Sequence, residues 1–209
     1  ALTIAYLERE LRVLGLEPGN TDGTYVQRVP LVGLTPEVTP LRFRRGDSTL
    51  DLRYKEDFVA WTRRVTETVS LENSELVFAG YGVEAPEFQW DDFKGTDVSG
   101  KTIVVLVNDP PVTAPDGSLD PKVFGGKAMT YYGRWTYKYE KGAEKKAAGV
   151  LIVHETEPAG YPWSVVQGFG GERFDLVTPD RNMGRSAIEG WITLDAARRL
   201  FALAGQDFD

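Results

Sequence analysis

Two unbroken apolar runs with a helical pattern between them constrain this chain more than any other feature. Thr102-Ile103-Val104-Val105-Leu106-Val107 and Val150-Leu151-Ile152-Val153 lack the alternation of a half-exposed strand, so both read as strands buried on two faces. Between them Trp135, Tyr139, Ala143 and Ala147 recur four apart, one face of a helix predicted over 131–148. Thr130 stands where that helix would be capped, and Gly149 where it would end. Strand, helix and strand make a βαβ unit, with a right-handed crossover expected.

The rest of the chain is read around this unit. Ile4, Leu7, Leu11 and Leu14 are spaced 3, 4 and 3, an apolar stripe on an N-terminal helix with Thr3 as its cap and Gly15 beyond its end. Strands are expected over 25–32, with Pro30 pushing that one to an edge, over 50–54, where Leu50, Leu52 and Tyr54 alternate with Asp51 and Arg53, and over 76–83. A short strand is expected at 188–192 and a last helix from Asp195 to Ala204, capped by Thr193. Residues 158–186 carry Gly, Pro and aromatics with weak periodicity.

Chemistry is narrowed by what the 209 residues contain. There is no Cys, which excludes disulfides, thiol nucleophiles and thiolate metal sites, and a single His, at 154. Lys plus Arg number 24 against 31 Asp plus Glu, a net charge of −7, so a nucleic-acid backbone would be repelled on average. No run approaches 18 consecutive apolar residues, so no membrane span is expected, and no basic region followed by an apolar run opens the chain as a signal peptide would. The chain begins at Ala1 without Met, as a processed protein or an excised fragment would. A compact protein of 23.2 kDa should expose about 9,700 Å².

Familiar motifs fail on inspection. Gly80-Tyr81-Gly82-Val83-Glu84-Ala85 follows a strand, but Pro86 and the residues after it do not begin the helix that a dinucleotide site requires. These glycines fit better in a strand that needs little bulk where another backbone passes. Gly125-Gly126-Lys127 lacks both the earlier Gly and the following Ser or Thr of a phosphate loop, and Ser164 is not in a nucleophile elbow. His154 ends the second buried strand beside Glu155; a strand-end His bonded to backbone is favoured over a base or ligand. Glu84, Glu87, Asp91, Asp92 and Asp97 read as a solvated acidic loop in preference to a calcium site. Arg134, Lys138, Lys141, Lys145 and Lys146 read as the solvated face of the central helix.

Several segments together resemble the protease-associated (PA) domain of secreted bacterial zinc aminopeptidases, relatives of the aminopeptidase Y, transferrin-receptor and glutamate-carboxypeptidase group. They are residues 75–83, Trp90-Asp91-Asp92-Phe93 and Gly100-Lys101-Thr102-Ile103-Val104-Val105. The most telling runs from Phe124-Gly125-Gly126-Lys127 through Tyr131-Tyr132-Gly133-Arg134-Trp135 to Lys138, followed by residues 145–154 and Ala159-Gly160-Tyr161-Pro162-Trp163-Ser164-Val165-Val166. Leu14-Gly15-Leu16-Glu17-Pro18-Gly19 and residues 25–31 are similar to the helix end and first strand that open the peptidase domain of that family.

The resemblance implies an α+β fold: an open β-barrel-like sheet flanked by helices, containing one βαβ unit. An N-terminal helix and strand from the peptidase domain would be attached. On this reading 1–60 belong or link to the missing peptidase domain, and 61–209 form the PA domain with its C-terminal helix. The parent is implied to be a secreted or periplasmic zinc metallo-aminopeptidase. The family's paired zinc site needs two His ligands and a His-x-Asp motif, which one His cannot supply, so no catalytic or metal-binding role carries over to any residue here. The chain is expected to be a non-catalytic fragment without a cofactor of its own, zinc belonging to the missing domain. The rival reading is an independent peptide- or protein-binding module whose parent has no peptidase activity.

Two expectations concern surfaces. The stripe of the first helix should cover part of the PA domain or pair with a second copy of the chain. Phe124, Tyr131, Tyr132, Trp135, Tyr137, Tyr161 and Trp163 fit packing residues, yet the turn chemistry of Gly160-Tyr161-Pro162-Trp163 places some of them outside. Tyr161, Trp163 and one of Tyr131 or Tyr132 are expected to form a wall beside the parent's substrate cleft, touching peptide or protein substrates without cleaving them.

Overall fold

A computed structural model describes residues 2–208. In chain order its helices and strands are α1 (Leu2–Val13), β1 (Leu31–Leu34), β2 (Leu41–Arg45), β3 (Ser48–Leu52), β4 (Phe58–Trp61), β5 (Leu76–Phe78), β6 (Glu84–Ala85), β7 (Trp90–Asp91) and β8 (Thr102–Leu106). Then come α2 (Trp135–Glu144), β9 (Gly149–His154), α3 (Thr156–Ala159), α4 (Trp163–Gln167), β10 (Arg173–Leu176), β11 (Ile188–Thr193) and α5 (Leu194–Leu203).

The core is a five-stranded mixed sheet in the order β4-β11-β9-β8-β5. Neighbours from β5 to β11 are parallel; only β4 runs against its neighbour. β8, α2 and β9 are the βαβ unit expected from the two apolar runs, and both strands lie in the interior of the sheet. Alternate residues feed two apolar layers. Val59, Trp61, Ile103, Val105, Val150, Ile152 and Trp191 face Tyr139 of α2. Phe58, Ala60, Val104, Leu151, Val153 and Ile192 face the β2–β3 hairpin through Phe43 and Leu52, and α5 through Ala196, Ala197 and Leu200. The molecule is therefore an α+β protein whose central sheet is covered on both sides.

Local chemistry fixes the ends of these elements. The Thr193 hydroxyl accepts from the Ala196 amide at 3.1 Å, as a side-chain cap should. Gly15 has φ +70° past the end of α1, the left-handed exit that glycine permits. α2 lies so close to β9 that a Cβ on Gly142 would stand 2.3 Å from Val150 Cγ2.

Some boundaries differ from expectation. α2 starts at Trp135, not 131, because Thr130 is engaged elsewhere: its hydroxyl and amide both bond Asp109. Thr3 lies inside α1 instead of capping it. The strand expected over 25–32 is confined to β1, and that over 76–83 to β5, since Gly80 and Gly82 turn with φ +49° and +62°. The boundary expected between 60 and 61 falls inside β4, whose four residues are buried in the central sheet.

Candidate functional site

The parallel strands bring three segments to one edge of the sheet: Gly80-Tyr81-Gly82 after β5, Asn108-Asp109 after β8, and Glu155 after His154 of β9. Open α/β sheets commonly place ligands outside these carboxyl ends. The glycines there serve packing. A Cβ on Gly80 would meet Asp92 Oδ1 at 2.9 Å, and one on Gly82 would meet Val105 Cγ1 at 2.8 Å, so neither cradles a phosphate.

Lys138 is the centre of this edge. It is 1% exposed, not a member of a solvated helix face as the charge pattern suggested. Its Nζ donates to the Asn108 carbonyl at 3.0 Å and lies 6.0 Å from the Tyr81 ring centre and 5.9 Å from that of Tyr137. Burial pushes its pKa down to about 7, against the opposing pull of Asp109 and Asp92. Asp109 is held by Thr130, with 2.6 Å to the amide and 2.7 Å to the hydroxyl. Asp92 accepts from the Val83 amide at 2.9 Å, and burial raises its carboxyl above the usual range.

His154 is buried, with Nε2 3.0 Å from the Tyr161 carbonyl. Burial lowers its pKa, which keeps the ring neutral at pH 7. Its ring lies 5.9 Å from Tyr161, 5.5 Å from Trp163 and 5.9 Å from Trp191. The strand-end reading of this residue describes what is found. Neither Lys138 nor His154 presents a reactive nitrogen to solvent.

The residues expected to make one wall, Tyr161, Trp163 and one of Tyr131 or Tyr132, fall into two groups. Tyr161 and Trp163 pack around His154, and the Trp163 indole donates to the Lys55 carbonyl at 3.0 Å. Tyr131 and Tyr132 pack on Tyr137, at 6.0 and 5.1 Å between ring centres. Their hydroxyls donate to Glu140 and Glu87, each at 2.6 Å. The Glu87 bond, then burial, pushes the Tyr132 phenol up to about 12. Among the described residues no ring contact joins the two groups.

The acidic loop is occupied internally. Glu84 pairs with Lys145 at 2.9 Å and Lys141 at 3.4 Å, while Asp91 and Asp97 accept from the amides of Phe93 and Ser99. Among the described residues no three His, Asp or Glu side chains converge as metal ligands.

The larger feature is a surface the sequence marked only in part. α1 buries none of its residues; Ile4, Leu7 and Leu14 are exposed, Leu7 by 52%. It rests on the segment that follows it, where Arg12 lies 4.7 Å over the Tyr25 ring and the Tyr25 hydroxyl donates to the Leu16 carbonyl. β1 and β10 form a separate antiparallel ribbon, with Leu31 opposite Leu176 and Gly33 opposite Phe174. That outward face is exposed, Phe174 by 65%, and Val29 and Val177 nearby are exposed as well. β10 is not legible in the sequence, since four alternating residues in a Gly-rich stretch carry too short a signal. The described protein exposes 12,950 Å², about a third more than a compact chain of this mass.

Among the described residues no helix is long and apolar enough to cross a membrane. No protein-family model, curated protein or solved structure matches the chain.

Proposed function

We propose that this chain is a non-catalytic accessory domain of the protease-associated type, which docks on a larger domain through α1 and the outward face of the β1–β10 ribbon. The excess surface supports this reading: a closed five-stranded core stands beside two amphipathic elements that leave their apolar faces to solvent. The docking partner is a zinc aminopeptidase domain of the same secreted or periplasmic parent, which supplies the metal and the cleavage chemistry. The chain's only His is buried and bonded to a backbone carbonyl, which fits a structural role. The aromatic group of Tyr161 and Trp163 and that of Tyr131 and Tyr132 then offer two separate places to meet peptide or protein substrates.

Amide hydrogen exchange on the isolated chain and on the full-length parent tests the docking. Amides of α1 and of β1 and β10 should exchange readily in the isolated chain and become protected in the parent. Equal exchange in both proteins would refute it. A parent without His-x-Asp and Glu-Glu segments would favour an independent binding module.

A further inference from the structure

The inner face of the β1–β10 ribbon does not lie flat on the sheet. It borders an open pocket of about 310 Å³ whose lining includes Leu34, Arg63, Phe169, Glu172, Arg173, Phe174 and Asp175. The register brings Leu34, Arg173 and Asp175 to one face, while Glu172 reaches the pocket from the other. Leu34 stands opposite Arg173 and Val32 opposite Asp175, on the face away from Leu31, Phe174 and Leu176. Arg63 follows β4 by two residues and enters from the edge of the sheet.

Two guanidinium groups line this one cavity. Arg173 lies 4.2 Å over the Trp61 ring, and its only hydrogen bond to the described protein runs from Nη1 to the Phe169 carbonyl at 3.1 Å. Arg63 stands 3.5 Å from Glu189 Oε2 and 3.6 Å from Asp175 Oδ2, too long for good hydrogen bonds. It donates a hydrogen bond to no described residue, although its side chain is only 24% exposed. Behind it Glu189 is fully buried: Oε2 accepts from the Trp61 indole at 3.2 Å, and Oε1 has no partner among the described residues. Burial, then the charge of Arg63, depresses the Arg173 pKa, as expected where two cations share a half-buried space.

A guanidinium carries five N–H donors in a planar fork, and donors withdrawn from water need acceptors. Most of those on Arg63 and Arg173 have none among the described residues. Carboxylates match the fork in shape and charge. The net charge of the lining narrows the class further. Glu172 and Asp175 offset the two arginines, so a dianion such as phosphate would be repelled more strongly here than a single carboxylate. Leu34 and Phe169 supply apolar wall, and the volume lies at the small end of ligand pockets.

We propose that this cavity binds a monoanionic carboxylate carried on a small apolar group, with Arg63 and Arg173 as its hydrogen-bond donors. Phe174 of the outward face also lines the pocket, but the donors Arg63 and Arg173 stand on the inner side of the ribbon, so the proposal does not rest on the docking reading.

Calorimetric titration of the full chain with 3-phenylpropionate, acetyl-Ala-Phe, acetyl-Ala-Phe amide and inorganic phosphate tests the proposal. At least one of the two carboxylates should bind at least about tenfold more tightly than the amide and than phosphate. Tighter binding of phenylpropionate points to a free organic acid, and tighter binding of acetyl-Ala-Phe to a peptide C-terminus. The Trp61 indole resonance should shift on saturation, since Arg173 covers that ring. Arg173→Gln should weaken the carboxylate at least about tenfold, and Arg173→Lys should not restore it, because the ammonium keeps the charge but loses the fork. If Arg173→Gln does not fold, Arg173→Lys alone decides. Equal binding of acid and amide, preference for phosphate, no saturable binding of either carboxylate, or full binding by Arg173→Lys would overturn the proposal.

Discussion

The ammonium of Lys138, in the middle of α2, donates to the carbonyl of Asn108, 30 residues away at the end of β8. One buried cation thus fastens the central helix to the edge where the parallel strands end. Asp109, Asp92, Tyr81 and Tyr137 surround it, yet none forms an ion pair or hydrogen bond with its Nζ among the described residues.

That arrangement predicts a pH dependence. The folded pKa of Lys138 is about 7, below the ordinary 10.5, because burial disfavours the charge. Between those values the unfolded chain binds more protons than the folded one, so stability should rise as pH increases from about 7 towards 10. The burial of Asp92 acts in a different window: its raised pKa favours the folded state in acid and loses that contribution as pH rises through the folded value. Urea unfolding at pH 6.5 and 9.5 should show a midpoint higher at pH 9.5. In Lys138→Met the rise should disappear. A wild-type midpoint that does not increase over this interval would contradict the burial of a charged Lys138.

The closeness of α2 to β9 gives a second expectation. Gly→Ala inside a helix ordinarily stabilises by about 1 kcal/mol. Here the new methyl would meet the stiff, fully buried Val150 side chain at 2.3 Å, and overpacking of a core costs about 1–3 kcal/mol. Gly142→Ala should therefore destabilise, by up to about 2 kcal/mol, in chemical denaturation. A stabilised variant would mean that α2 sits further from the sheet.

What the sequence disclosed follows from the range of the forces involved. β8 and β9 announce themselves because a strand buried on both faces needs consecutive apolar residues, and Thr193 because a cap acts within one turn. Lys138 reads in the sequence like Lys141, Lys145 and Lys146: nothing nearby reveals that Tyr81, Asp92 and residues 108–109 fold around it. The ribbon was hidden because β1 and β10 pair across about 140 residues and neither is longer than four. Arg63 and Arg64 look alike in the chain, but Arg64 donates to the Arg185 carbonyl while Arg63 turns to Glu189. The two aromatic groups were legible as aromatics, and only their separation required the fold.

Asp57 joins the β2–β3 side of the molecule to α5. Its carboxylate accepts from the Arg53 amide at 2.8 Å and from the guanidiniums of Arg53 and Arg199. Burial alone would raise its pKa, but the Arg53 hydrogen bonds and the charges of Arg199 and Arg53 outweigh it and hold the group below the usual carboxylate range. A depressed folded pKa contributes stability above the unfolded value of 3.8, and that contribution fades as pH falls through the folded value. Asp57→Asn should cost about 1–3 kcal/mol at pH 7 and less at pH 3. A cost independent of pH, measured by thermal unfolding at both values, would leave no role for the charge.

The first helix separates packing within the chain from contact with another. Its stripe was expected either to cover part of this domain or to pair with a second copy. In the structure no residue of α1 is buried, and Leu11, the least exposed of the stripe, is only half-buried. A surface substitution that touches nothing changes stability by no more than about 0.5 kcal/mol. Ile4→Asp and Leu7→Asp, at the exposed positions of the stripe, should therefore leave the melting of the isolated chain within that margin. Placed in the full-length parent, the same changes set a charge against whatever apolar surface covers the stripe, and should destabilise it by about 2 kcal/mol or more. Light scattering of the isolated chain over a range of concentrations completes the test, because a self-paired helix would give a dimer that either substitution disperses. Loss of stability in the isolated monomer would show that the helix packs on its own domain, and the docking surface proposed for it would be withdrawn.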